Sequence, residues 1–170
     1  YVSWEDYAAP FPCGDREIRM KKSMDGGATF VDTNTSTNNL VTDVVRCGEG
    51  VLGQGNFHNP VDNGGLAVDP KKPNTIYVVY QDGKDTSVPD LAGRCGDYHF
   101  SNIYFRRSLD GGVTWSPPDM INSDKPDDQI DQFQSSIAVE KTGRVYAGWN
   151  DRRKDKRNFK FEAYGAFNLT

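Results

Sequence analysis

The chain has no apolar run near the ~20 residues that a membrane-spanning helix needs. It also lacks any segment with an apolar 3.6-residue period bounded by caps. Histidine is scarce, and the two present, His58 and His99, do not make a zinc site. The three cysteines, Cys13, Cys47 and Cys95, include no pair with zinc-ribbon spacing. No glycine-rich loop stands between a strand and a helix, which excludes dehydrogenases, kinases and nucleotide binders of that type. A basic excess is missing too: Lys+Arg 20 against Asp+Glu 24 gives a net charge of -4, which argues against a nucleic-acid partner. The start, Tyr1-Val2-Ser3-Trp4, carries no initiator Met and no charged-then-apolar leader. It reads as the middle of a strand, so either a leader has been removed or the chain belongs to something longer.

What is present is 36% hydrophobic and 12% aromatic residues, with 17 glycines and 9 prolines in 170 residues. That is the composition of one turn-rich globular domain. Three phrases repeat: Tyr1-Val2-Ser3-Trp4-Glu5-Asp6, Tyr77-Val78-Val79-Tyr80-Gln81-Asp82 and Tyr146-Ala147-Gly148-Trp149-Asn150-Asp151, at offsets of 76 and 69 residues. Leu66-Ala67-Val68-Asp69 and Ile137-Ala138-Val139-Glu140 match ahead of the second and third copies. After the first and second copies, a strand-like phrase runs into Ser23-Met24-Asp25-Gly26-Gly27-Ala28-Thr29-Phe30 and into Ser108-Leu109-Asp110-Gly111-Gly112-Val113-Thr114-Trp115. Each block is β-branched or aromatic between Gly, Asp, Asn and Pro punctuation, the pattern of strands.

One unit therefore reads as four strands, at 65–69, 76–81, 102–108 and 114–121 in the second copy. Residues 69–74 form a turn, and Asp110-Gly111-Gly112 a tight hairpin. A repeated four-stranded antiparallel sheet is the unit of a β-propeller. The expectation is an all-β chain forming part of a single propeller, with units at 1–63 (partial), 64–134 and 135–170 (partial). About two and a half units cannot close a ring, so the remaining blades come from the same chain or from neighbouring subunits.

The two Ser-x-Asp-x-Gly-x-Thr-Trp/Phe phrases resemble the Asp-box turns of the bacterial-neuraminidase repeat superfamily. The matching positions are Ser23, Asp25, Gly27, Thr29 and Phe30, then Ser108, Asp110, Gly112, Thr114 and Trp115. The Leu-Ala-Val-Asp-Pro and Trp-x-Asp-Arg-Arg phrases are similar to bacterial members. The resemblance covers nearly the whole chain and implies the propeller fold. It leaves activity open, since such boxes occur in sialidases and other glycosidases, in sortilin-type receptors and in secreted proteins of other kinds. The box residues explain themselves as a turn: Asp and Ser bond to backbone groups, glycines take positive φ and the aromatic covers the hairpin. A calcium loop is the alternative, and each box offers few carboxylates for it.

Alternating hairpins put the two turns on one rim and the long loops, 6–17, 82–100, 151–160, 33–63 and 122–134, on the other, where ligand sites usually sit. There Asp6, Asp82 and Asp151 occupy equivalent strand exits. Each either caps its turn or serves a ligand, as a general acid or by binding a sugar hydroxyl. Asp151, followed by Arg152 and Arg153, is the foremost candidate, because an arginine fork suits a carboxylate. The bland reading of residues 152–157 is a solvated loop. Trp4, Tyr80 and Trp149 read as packing residues before sugar platforms. Asp127, Asp128 and Asp131 lie in the densest acidic stretch, which suits either a charged loop or a calcium ion; no other cofactor is expected.

Sialidases hold their substrate carboxylate with three arginines and use a Tyr-Glu nucleophile pair and an Asp acid. That set does not map onto this chain: the Arg-Ile-Pro phrase is absent, and Ile18-Arg19-Met20 does not replace it. One disulfide is expected, of Cys47 with Cys13 or Cys95. With sequons at Asn34 and Asn168, this points to an extracellular setting. The function expected is a secreted binding or structural module for a glycan or protein ligand. The alternative is a sialidase-type glycoside hydrolase whose catalytic residues lie largely outside the chain.

Overall fold

The computed structural model describes residues 1–7, 16–37, 39–44, 64–82, 100–124 and 130–169. Among them there are eleven strands and no helix, and so no helix long and apolar enough to cross a membrane. They form three antiparallel sheets. The first contains β1 (Val2–Tyr7), β2 (Arg16–Lys22), β3 (Val31–Asp32) and β4 (Leu40–Val44), with β3 and β4 both pairing along the same side of β2. The middle sheet is a meander of β5 (Gly65–Asp69), β6 (Lys72–Asp82), β7 (Asn102–Ser108) and β8 (Asp119–Met120). The last contains β9 (Gln132–Val139), β10 (Val145–Asp151) and β11 (Glu162–Phe167).

β6 holds the stack together. Successive side chains of a strand point to opposite faces, and every residue of β6 from Thr75 to Asp82 is buried. Ile76, Val78 and Tyr80 pack against Ile18, Met20 and Val41 of the first sheet. On the opposite face Val79 joins Ile103, Ala147 and Trp149, and Tyr77 joins Phe105 and Val145, closing the middle sheet on the last. Cross-strand aromatic stacking reinforces the pairing of β6 with β7: Tyr77 lies 5.8 Å from Phe105 and Tyr80 5.9 Å from Tyr104, centroid to centroid. Tyr80 and Trp149 are therefore core residues, 0% and 5% exposed, and not sugar platforms.

The expected loop 33–63 holds a strand, β4, paired with β2, and two strands of the second unit differ from their expected spans. β6 begins at Lys72, because Lys71 donates its N–H to Asp69 Oδ1 at 2.8 Å and closes the turn within two residues. The expected strand over 114–121 pairs as a ladder only at Asp119–Met120. Thr114 is held back by the turn, and Pro117 and Pro118 have no N–H to give. Ser116 alone bridges the gap, donating N–H to Arg107 O at 2.8 Å while its Oγ accepts from Arg107 N at 3.0 Å.

In the turn between β7 and β8, Gly112 has φ +92°, and a Cβ there would stand 2.1 Å from the Met20 side chain and 3.3 Å from Thr33. The equivalent Gly27 has φ +97° but nothing within 4 Å. Gly27→Ala should therefore cost about 1 kcal/mol of backbone strain. Gly112→Ala should cost more, since the fully buried Met20 side chain must also change rotamer and Thr33 stands at 3.3 Å. Urea unfolding of the two variants compares them directly, and equal losses would contradict this packing.

Candidate functional site

The two Ser-x-Asp-x-Gly-x-Thr turns have the same internal bonding. In the first, Ser23 Oγ donates to Asp25 Oδ1 at 2.7 Å and accepts the Gly27 N–H at 2.7 Å. Asp25 accepts from Thr29 N at 2.9 Å and from Thr29 Oγ1 at 2.6 Å. In the second, Ser108 Oγ donates to Asp110 at 2.7 Å and accepts from Gly112 N at 2.8 Å, and Asp110 accepts from Thr114 N at 2.9 Å and Thr114 Oγ1 at 2.5 Å. Hydrogen bonds led by that of the Thr29 hydroxyl hold the Asp25 carboxyl far below its usual range. Every one of these bonds is spent inside the turn, which accounts for the residue types without a ligand. The second turn also meets the start of β6 through Gly111 N–H to Asn74 O at 2.8 Å, so it lies at the same end of the middle sheet as the β5–β6 turn.

At the opposite end lie the strand exits. Asp6 pairs across its ladder with Glu17, Asp82 with Asn102 and Asp151 with Gln132. Their environments differ. Asp6 is half exposed and ion-paired to Arg19 at 2.9 Å, a guanidinium that also meets Glu17. Asp82 is 5% exposed. Asp151 is 1% exposed and accepts from Trp149 Nε1 at 3.0 Å, from Arg153 N at 2.8 Å and from the Arg153 guanidinium.

Around Asp151 the structure assembles a polar network that reads in the sequence as scattered loop residues. Arg153 continues to Asp124 at 3.0 Å and Ser123 Oγ at 2.9 Å, and its guanidinium lies 4.2 Å from the centre of the Tyr164 ring. Arg152, 3% exposed, donates to Asn158 O at 2.6 Å, pairs with Asp131 at 3.5 Å and stacks over Phe133. Asp131 accepts from Ser101 N at 3.1 Å and from Asn158 Nδ2. Gln132 Nε2 donates to Asp124 at 2.6 Å, and Asn122 Nδ2 donates to Asn102 Oδ1 at 2.9 Å. The network ties the start of β7 to the start of β9, joining the middle and last sheets at this rim. A register shift at Gly148/Asn150, with Gln134 at φ 53°, marks a bulge in the β9–β10 ladder beside it.

These positions correct two of the loop readings. Arg152 is buried and not part of a solvated loop, and Asp131 is fully buried and not a surface charge, its oxygens accepting from Ser101 and Asn158. Among the described residues no group of His, Cys, Asp and Glu has the arrangement of a metal site. Asp127, Asp128, the two histidines and the three cysteines lie outside the described residues. Asn34, in the first sequon, uses its amide nitrogen to donate to Val113 O at 2.7 Å, joining the first and middle sheets.

Next to Asp151 an open cleft of about 280 Å³ is lined by Asp151, Lys154, Asp155, Lys160, Phe161 and Glu162. Its shape depends on Asp155, whose carboxylate accepts the N–H groups of Arg157, Phe159 and Lys160 at 3.1, 3.3 and 2.9 Å. Chemically the rim offers fixed charges and an aromatic face. Burial works to raise the Asp151 carboxyl, but the bonds from Arg153 and Trp149 outweigh it and leave the group below its ordinary value. A resting general acid needs the opposite shift. No family model, curated protein or solved structure matches the chain.

Because the folded-state pKa of Asp151 is depressed, its contribution to stability is present above the unfolded value near 3.8 and is lost as pH falls through the folded one. Asp151→Asn should cost roughly 3 kcal/mol at pH 7 by leaving Arg153 short of its partner. The variant should also lose part of the acid-side decline that the parent shows. Chemical denaturation at pH 7 and pH 3 measures both effects. A variant as stable as the parent at pH 7 would remove Asp151 from the structural network.

Proposed function

We propose that the chain is part of an Asp-box propeller of the sialidase-like type. In this reading it works outside the cell as a binding or structural module, with its ligand site on the long-loop rim. Support for the propeller comes from three sheets stacked in one sense: Ile76, Val78 and Tyr80 face backwards from the middle sheet, and their repeat equivalents Val145, Ala147 and Trp149 face backwards from the last. The two turns with the same internal bonding add to it.

The observation that carries the non-catalytic reading is the state of the rim charges. Asp151, Arg152 and Arg153, the residues with most claim to act on a substrate, are bonded to one another's neighbours and largely withdrawn from solvent. Among the described residues the cleft beside them is open, a shape for holding a ligand. Electron microscopy of the intact protein should show a disc with a central channel, and an open stack of sheets would overturn the propeller. The same protein should be retained by members of an immobilised glycan panel while leaving a fluorogenic sialoside unhydrolysed. Turnover of the sialoside would instead favour the enzyme reading, and retention by none of the glycans would remove a glycan ligand.

A further inference from the structure

The loop between β10 and β11 carries an exposed basic surface that is engaged only by ion pairs at its edge. From residue 152 to residue 162 it has six Lys or Arg against two carboxylates, a local charge of +4 on a chain whose total is -4, so the rest of the chain carries -8. Two of those cations, Arg152 and Arg153, are turned inward. The other four, Lys154, Lys156, Arg157 and Lys160, are exposed. Between them stand Phe159 and Phe161, 53% and 52% exposed. Large apolar rings set among cations on a surface mark an interaction site more often than a solvated face.

The surface is also rigid. Asp155 fixes three backbone amides of the loop, and Asn158, fully buried at φ 58°, is clamped between Arg152 and Asp131. Phe161 is pinned edge-on against the buried Phe133 ring, centroids 5.4 Å apart. A ring held this way offers one fixed face at the cleft, at no further cost in side-chain freedom. Of the ion pairs the outer cations make, Lys154–Glu162 at 2.7 Å is exposed on both sides and a multivalent anion can displace it cheaply, while Arg157 reaches the half-buried Asp155 only loosely, at 3.7 Å.

We propose that this loop docks a polyanionic glycan. Lys154, Lys156, Arg157 and Lys160 meet its carboxylate or sulfate groups, and Phe159 and Phe161 stack on its sugar rings. The inference rests on the reading of this rim as a ligand-binding rim and names the class of ligand. Charge distribution favours a short flexible saccharide over a membrane or a nucleic-acid duplex. A membrane or a duplex needs a basic face wider than one loop, and the chain outside the loop is net acidic, whereas a few sugars need the loop alone.

The test uses the intact protein on immobilised heparin, with uncharged dextran, phosphatidylserine vesicles and a poly-dT oligonucleotide in parallel. Retention on heparin that falls with salt, and none on dextran, is expected. Replacing Lys156→Ser and Arg157→Ser together should weaken heparin binding about tenfold. Phe159→Ala should weaken it about threefold with the salt dependence unchanged. Both sites are exposed, so unfolding temperatures should not move. Heparin binding that ignores these changes, or tighter binding to vesicles or to the oligonucleotide, would overturn the proposal. Retention by neutral glycans without heparin binding would also overturn it while leaving the rim reading intact.

Discussion

The two-sided burial of β6 is the constraint on which the described structure depends. A strand covered on both faces cannot alternate apolar and polar residues, and Ile76 to Tyr80 is accordingly an unbroken apolar and aromatic run. One face commits the middle sheet to the first and the other commits it to the last. A substitution on β6 therefore loosens one interface or the other according to its parity. The core has no single centre; it consists of two apolar layers separated by one strand's thickness.

The polar network around Arg152 and Arg153 complements those layers at the rim. Apolar contact is indifferent to small slides of one sheet over another, whereas the bonds from Ser101 to Asp131 and from Asp131 to Asn158 are directional. They fix how the last sheet sits on the middle one. Asn34 and Val113 do the same for the first sheet at the other end. Buried charges are retained where they are mutually bonded, and here they are bonded across elements.

The strands and turns were largely legible in the sequence because their signals are local: β-branched and aromatic runs of five to eight residues, closed by Asp, Gly and Pro. The repeated Tyr-x-x-aromatic-x-Asp phrase located β1, β6 and β10 directly. The fourth strand of the second unit was overdrawn because the turn's claim on Thr114 and the two prolines after it outweigh the β-propensity of the segment. The candidate site was legible only in part. Asp151 stood out by repetition, but the bonds that join the network's segments span 20 to 30 residues, and an arginine in a charged run looks the same whether it is solvated or buried. The cleft could not be foreseen, since it depends on which amides Asp155 gathers.

The gathering of amides by Asp155 separates two properties that usually change together. The course of the loop is written by residues that point inward, Arg152, Asp155 and Asn158, and by backbone groups. Its outward chemistry is written by the residues between them, 154, 156, 157 and 159–161, most of whose side chains do little to set that course. The loop is thus a frame with interchangeable faces: its surface can be recoded for a different ligand, residue by residue, without a new backbone having to be found.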